Sequence, residues 1–181
     1  MTRNLSVPTK VSSLALAVAL AAGPSPAAAQ SFQGTPAVTS GSASVNEGAG
    51  TTTVTVDTSQ TVIDWDADDD AVGNFGAINF QPSGTTATFQ NNGDLVGDFA
   101  VLNRIDIADQ TRIVALNGTI NSLVNGQTGG SIYFYSPSGF VITGTAVINV
   151  GSLVLSASPI TVDGQGNFIN NGTVTFGQAP N

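Results

Sequence analysis

Polar and apolar residues alternate in short runs through most of the chain. Examples are Thr52-Thr53-Val54-Thr55-Val56, Gly76-Ala77-Ile78-Asn79-Phe80, Thr85-Thr86-Ala87-Thr88-Phe89 and Arg112-Ile113-Val114-Ala115-Leu116. The pattern returns at Ser131-Ile132-Tyr133-Phe134-Tyr135, Ala146-Val147-Ile148-Asn149-Val150, Ser152-Leu153-Val154-Leu155 and Thr173-Val174-Thr175-Phe176. Period-2 alternation rich in β-branched and aromatic residues predicts half-buried strands. In residues 132–135 it places Ile132 and Phe134 on one face and the two Tyr on the other. Tight-turn signals separate the runs: Asn92-Gly93, Asn117-Gly118, Asn125-Gly126, Asp163-Gly164 and Asn171-Gly172. No stretch after residue 29 reads as a helix. There the chain holds one Glu (Glu47) and no Lys, so common surface helix formers are missing.

The predicted class is all-β, and two architectures fit the spacing. In an antiparallel sandwich or barrel each Asn-Gly is a hairpin. In a parallel β-helix each is a corner between consecutive faces of a coil. Local pattern does not separate them. Composition leans toward the solenoid, because charge is scarce, the strands are very short, and each coil bonds along the stack to its neighbours. Residues 40–53 are small and polar and read as the lead-in to the fold. The final run, Thr173 to Phe176, has nothing after it to cover its outer edge, which predicts a piece truncated from a longer protein.

Residues 1–29 depart from this pattern and read as a secretory signal peptide. Arg3 and Lys10 make a positive start, and Val11 to Ala22 is apolar apart from Ser12 and Ser13. Gly23, Pro24 and Pro26 end the run, and Ala27-Ala28-Ala29 supplies small residues for cleavage before Gln30. The apolar run is short for a permanent membrane helix. Residues 30–181 then form one domain.

Charge and composition narrow the chemistry. The full chain has 181 residues, 4 Lys plus Arg, 12 Asp plus Glu, and neither His nor Cys. Catalytic triads and dyads built on His or Cys, and zinc sites with those ligands, are excluded. Beyond residue 29 only Arg104 and Arg112 are positive, which gives no electrostatic footprint for nucleic acid or anionic lipid. Carboxylate chemistry and oxygen-ligated calcium survive. Asp64, Asp66, Asp68, Asp69 and Asp70 fall within seven residues, with Asn74 close behind. Asp64, Asp66, Asp68 and Asp70 are calcium candidates, although the EF-hand glycine and glutamate are missing. The alternative is a solvated acidic loop. Asp106 with Asp109, or Asp94 with Asp98, could form an acid pair for glycoside cleavage, but no subsite accompanies them. The expectation is no enzyme, no catalytic residue and no cofactor. Gly164 and Gly166 form no nucleotide loop, since no helix follows. Trp65 reads as a packing anchor with its N–H bonded locally.

Several segments together resemble a known family. Residues 130–156 carry an aromatic strand (Ile132-Tyr133-Phe134-Tyr135), a turn (Ser136-Pro137-Ser138-Gly139) and a later strand, Val150-Gly151-Ser152-Leu153-Val154. Earlier come Val101-Leu102-Asn103-Arg104-Ile105 and Thr61-Val62-Ile63-Asp64-Trp65, the latter followed by Ile78-Asn79-Phe80-Gln81-Pro82-Ser83. In this order, over residues 32–162, they resemble the N-terminal domain of filamentous haemagglutinin-type exoproteins, the secretion domain of the two-partner pathway. The resemblance implies a right-handed parallel β-helix, a single-stranded solenoid, with capping strands at its N-terminal end. It implies export to the periplasm and recognition there by a partner outer-membrane β-barrel transporter with periplasmic domains. The exoprotein would end secreted or on the cell surface, as an adhesin or biofilm factor meeting host-cell or surface receptors through its missing C-terminal part. A self-standing adhesin or matrix protein, and a passenger carrying its own C-terminal barrel, are the alternatives.

The candidate recognition residues are Asn103, Arg104, Ser136, Pro137, Ser138 and Gly139. The family turn is often Asn-Pro-Asn-Gly. Here Ser replaces both Asn, keeping the turn while removing the amides. Pro137 fixes one φ, and Gly139 is free to take a positive one. Arg104 either contacts the transporter or pairs with a nearby carboxylate such as Asp106.

Overall fold

The computed structural model describes residues 30–68, 76–162 and 168–170. Ala27, Ala29, Asp70, Asn74, the turn signals at 163–164 and 171–172, and the run 173–176 lie outside them. All regular elements among the described residues are strands, so the chain is all-β. The first eight are β1 (Gly34–Ser40), β2 (Ala43–Gly48), β3 (Thr51–Val56), β4 (Gln60–Ala67), β5 (Ile78–Gln81), β6 (Thr86–Asn91), β7 (Ala100–Asp106) and β8 (Val114–Leu116). The next eight are β9 (Thr119–Val124), β10 (Gln127–Thr128), β11 (Ser131–Tyr135), β12 (Phe140–Ile142), β13 (Val147–Asn149), β14 (Ser152–Ser156), β15 (Ile160–Val162) and β16 (Phe168–Asn170).

The sheets are mixed. One runs β1-β4-β7-β11-β14; a second runs β10-β9-β6-β3-β2, with β13 also on β9; a third runs β12-β8-β5. Within them β4, β7, β11 and β14 pair in parallel, as do β3, β6, β9 and β13, and β5, β8 and β12. The antiparallel partners are β1 on β4, β2 on β3 and β10 on β9. A β15–β16 pair, also antiparallel, stands apart.

The Asn-Gly turns differ in what they connect. Asn125-Gly126 is a hairpin turn between β9 and β10, with φ of 51° and 78°. Two successive positive φ values match the strand twist of a two-residue hairpin. Asn117-Gly118 instead joins β8 to β9, which belong to different sheets. Side-chain amides also pair asparagines far apart in the chain: Asn117 to Asn79 at 3.1 Å, Asn91 to Asn125 at 3.0 Å and Asn149 to Asn121 at 3.1 Å.

The core lies between the sheets. Trp65, Phe80, Phe89 and Phe134 gather around Phe32, and all five are fully buried. Alternation sorts the five-stranded sheet into two faces. Inward, Ile63, Asn103, Phe134 and Leu155 form one cross-strand row. Outward, Val62, Leu102, Tyr133 and Val154 form another, packed with Ile160 and Phe168 of β15 and β16. Tyr133 meets Phe168 edge-on at 5.1 Å. The expected facing of residues 132–135 holds: Ile132 and Phe134 are buried, and both Tyr are half-buried on the outer face. Residues 40–53, read from sequence as a lead-in, contain all of β2 and enter β3.

Candidate functional site

The outer row next to the apolar one is polar. Its members are Asp64 on β4, Arg104 on β7 and Tyr135 on β11, which are direct register partners. The Arg104 guanidinium grips the Asp64 carboxylate with two hydrogen bonds, Nε to Oδ1 and Nη2 to Oδ2, the second 2.7 Å long. Nη2 also donates to Thr39 Oγ1 at 3.1 Å, tying in β1. The planar fork matches a carboxylate in this way. The partner is therefore Asp64, not Asp106. Asp106 follows Arg104 by two positions on the same strand, whereas Asp64 faces it across the ladder.

Asn103, one residue earlier, points the other way and is fully buried. Its Oδ1 accepts the Trp65 indole N–H at 3.1 Å, and its Nδ2 donates to the Tyr133 carbonyl at 3.2 Å. The Trp65 N–H is thus satisfied across the sheet by a residue 38 positions away, not locally. Both ends of the Asn103 amide are used inside the core, and it presents no surface in the folded chain. A buried amide satisfied at both ends holds three strands in register.

The turn after β11 closes with Gly139 N–H donating to Ser136 O at 3.0 Å. Gly139 takes the positive φ expected of it, 78°. Asn125 is the non-glycine with positive φ among the described residues, so Ser138 keeps φ negative and the turn is not type II. Ser138 Oγ donates to Gln110 O at 2.8 Å. Ser136 is fully buried, and its Oγ has no hydrogen-bond partner.

These pieces meet in one groove of about 330 Å³, lined by Asp64, Arg104, Asp106, Gln110, Tyr135 and Pro137 among others. Arg104 and Pro137, from two segments far apart in sequence, share its wall. Of the six recognition candidates, Arg104 and Pro137 line the groove, and Ser138 holds its Gln110 side from behind. Asn103 and Ser136 are interior. Sequence reasoning missed Gln110, Thr39 and the pairing role of Asp64. The signal for Asp64 was available: laying Thr61–Trp65 over Val101–Ile105 sets Asp64 opposite Arg104.

Of the four calcium candidates, Asp64, Asp66 and Asp68 are described, and Asp70 lies outside the described residues. Asp64 is held by Arg104, while Asp66 and Asp68 line a second depression of about 360 Å³ with Gln30, Gln33 and Thr35. No group of three or more acidic side chains suited to a metal occurs among the described residues. Two of the acid-pair candidates, Asp109 and Asp98, bond to residues near them in the chain. Asp109 accepts the Thr111 hydroxyl at 2.6 Å and its N–H at 3.1 Å, which hold its carboxyl below the ordinary range. Asp98 accepts the Phe99 N–H at 2.9 Å. Asp106 lines the groove without Asp109.

No family model matches the chain, and no curated protein matches it in sequence.

Proposed function

We propose that this chain is the N-terminal secretion module of a large bacterial surface exoprotein, recognised in the periplasm by a partner outer-membrane transporter. Its strands wind as a right-handed parallel β-helix, with β1 and β2 capping the N-terminal end. The fold reading is supported by three sets of parallel strands visited in rotation: β3, β4, β5, then β6, β7, β8, then β9, β11, β12. It is supported also by the antiparallel placement of β1 and β2 on the outer edges of the first set. A right-handed path is the strong preference for parallel crossovers. The transporter then reads a surface feature of the folded or folding module, and the exoprotein reaches the cell surface or medium.

The observation that carries the proposal is the groove. Two segments of the family resemblance, Val101–Ile105 and the 130–156 stretch through its turn, meet there on Arg104, Tyr135 and Pro137. An Arg anchored at one edge by Asp64, beside Tyr135 and Pro137, offers a rigid polar-aromatic rim, the composition that recognition sites favour. The test is export of residues 1–181 from a Gram-negative host with and without the cognate transporter. The expected result is accumulation in the medium only with the transporter, abolished by Arg104→Ala in a chain that still folds. Equal periplasmic retention in both hosts would overturn the proposal.

A further inference from the structure

The chain passes from surface to core within three positions at the start of the domain. Gln30 is exposed, while Ser31 and Phe32 are each 0% exposed. The Phe32 ring stacks on Phe80 at 5.0 Å and meets the edges of Trp65 at 5.1 Å and Phe134 at 6.0 Å. Its N–H donates to Thr52 Oγ1 at 3.2 Å, and Ser31 Oγ donates to Thr85 Oγ1 at 3.3 Å. Gln33 adds a backbone bond to Phe80 O at 2.7 Å and accepts the Asp68 N–H at 3.0 Å. Rings from β4, β5, β6 and β11 close on one phenyl group, so Phe32 is the plug of the core.

That plug sits close to the bond that the sequence marks for signal cleavage, Ala29–Gln30. Two intervening residues give the chain a reach of only about 7 Å. A peptidase takes its substrate as an extended segment on both sides of the bond, and folded, hydrogen-bonded backbone resists that. In the closed domain the second residue past the bond is already buried.

We propose that cleavage and core closure are ordered. The Ala29–Gln30 bond is cut while Ser31 and Phe32 are still outside the core, and insertion of Phe32 then completes the domain. A precursor that closes first is locked against cleavage. This inference rests on reading residues 1–29 as a signal peptide and is independent of the transporter.

The experiment uses the full precursor, residues 1–181, and purified signal peptidase in detergent. One sample is diluted from urea directly into the enzyme. The other is refolded first, checked for resistance to a general protease, and then given the enzyme. The freshly diluted chain should yield a product beginning at Gln30. The refolded chain should be cut at least about tenfold more slowly, because cleavage then tracks the small open population. A Gly-Ser-Gly-Ser insertion between Gln30 and Ser31 carries the bond about 13 Å further from the core and should restore cleavage of the refolded precursor. Equal rates for the two wild-type samples, or no rescue by the insertion, would overturn the ordering. A product beginning elsewhere, identified by N-terminal sequencing, would also overturn the ordering by moving the cut away from Phe32, whereas no cleavage of the freshly diluted chain would remove the signal-peptide reading beneath it.

Discussion

Tyr133 and Phe134 are chain neighbours in β11, yet they belong to different regions of the molecule. Phe134 lies on the inner face of the five-stranded sheet, fully buried against the Phe32 cluster. Tyr133 lies on the outer face, half-buried beneath Phe168. The same split separates Asn103 from Arg104. The inner face is committed to packing and to satisfying one indole N–H. The outer face carries an apolar row under β15–β16 and, beside it, an open polar row. A motif read as one unit in sequence therefore does two jobs: its first residue fixes strand register and its second shapes a surface.

Substitutions can break this contrast. Phe134→Ala should cost about 3–5 kcal/mol, the usual range for a buried aromatic, whereas Tyr133→Ala should cost about 1 kcal/mol, mainly the lost ring pair. Denaturant unfolding of the two variants measures the difference, and near-equal losses would mean the outer face is core as well. Asn103→Ala should fall between them at about 1–3 kcal/mol, since it strands the Trp65 N–H in the interior; Trp fluorescence should shift along with the midpoint. Arg104→Ala should cost no more than about 1 kcal/mol, because the pair with Asp64 is partly exposed and screened by water. A larger loss would assign Arg104 a structural role and weaken the surface reading.

The smallest expected effect depends on pH. Burial pushes the Glu47 carboxyl above its ordinary value, and its Oε1 has no partner. The folded chain thus binds this proton more tightly than the unfolded one. The resulting stability is present below the ordinary Glu value and is lost as pH rises through the raised one. Glu47→Gln should raise the melting temperature slightly at neutral pH, with the gap closing on acidification. A gap that widens in acid would contradict the burial.

The strands legible in the sequence were those with strong alternation. β11 spans Ser131–Tyr135 as its pattern predicts, and β3 differs from its run only by Thr51. β2 escaped because its inward row is Ala43, Val45 and Glu47, two modest apolar residues and a charge. β9 escaped because a fully buried Ser122 takes an inward place where an apolar residue would have marked the period. β12 has three residues, too few to show one clearly, whereas β13 falls inside the predicted run Ala146–Val150. At the candidate site, Arg104 stood out because cations are so scarce. Its partner did not, because Asp64 lies 40 positions away and only register makes them neighbours. The meeting of Arg104 with Pro137 depends on strand order, which local pattern does not encode.

The asparagine pairs carry a kinetic consequence. Asn121 and Asn149 are 28 positions apart, Asn91 and Asn125 34, and Asn79 and Asn117 38. Each bond therefore closes a loop of similar size, wherever it falls in the chain. Loop-closure entropy grows only with the logarithm of loop length, so the cost per added strand stays nearly constant. Relative contact order then falls as such a chain lengthens, and a longer version need not meet a steeper topological barrier than a short one.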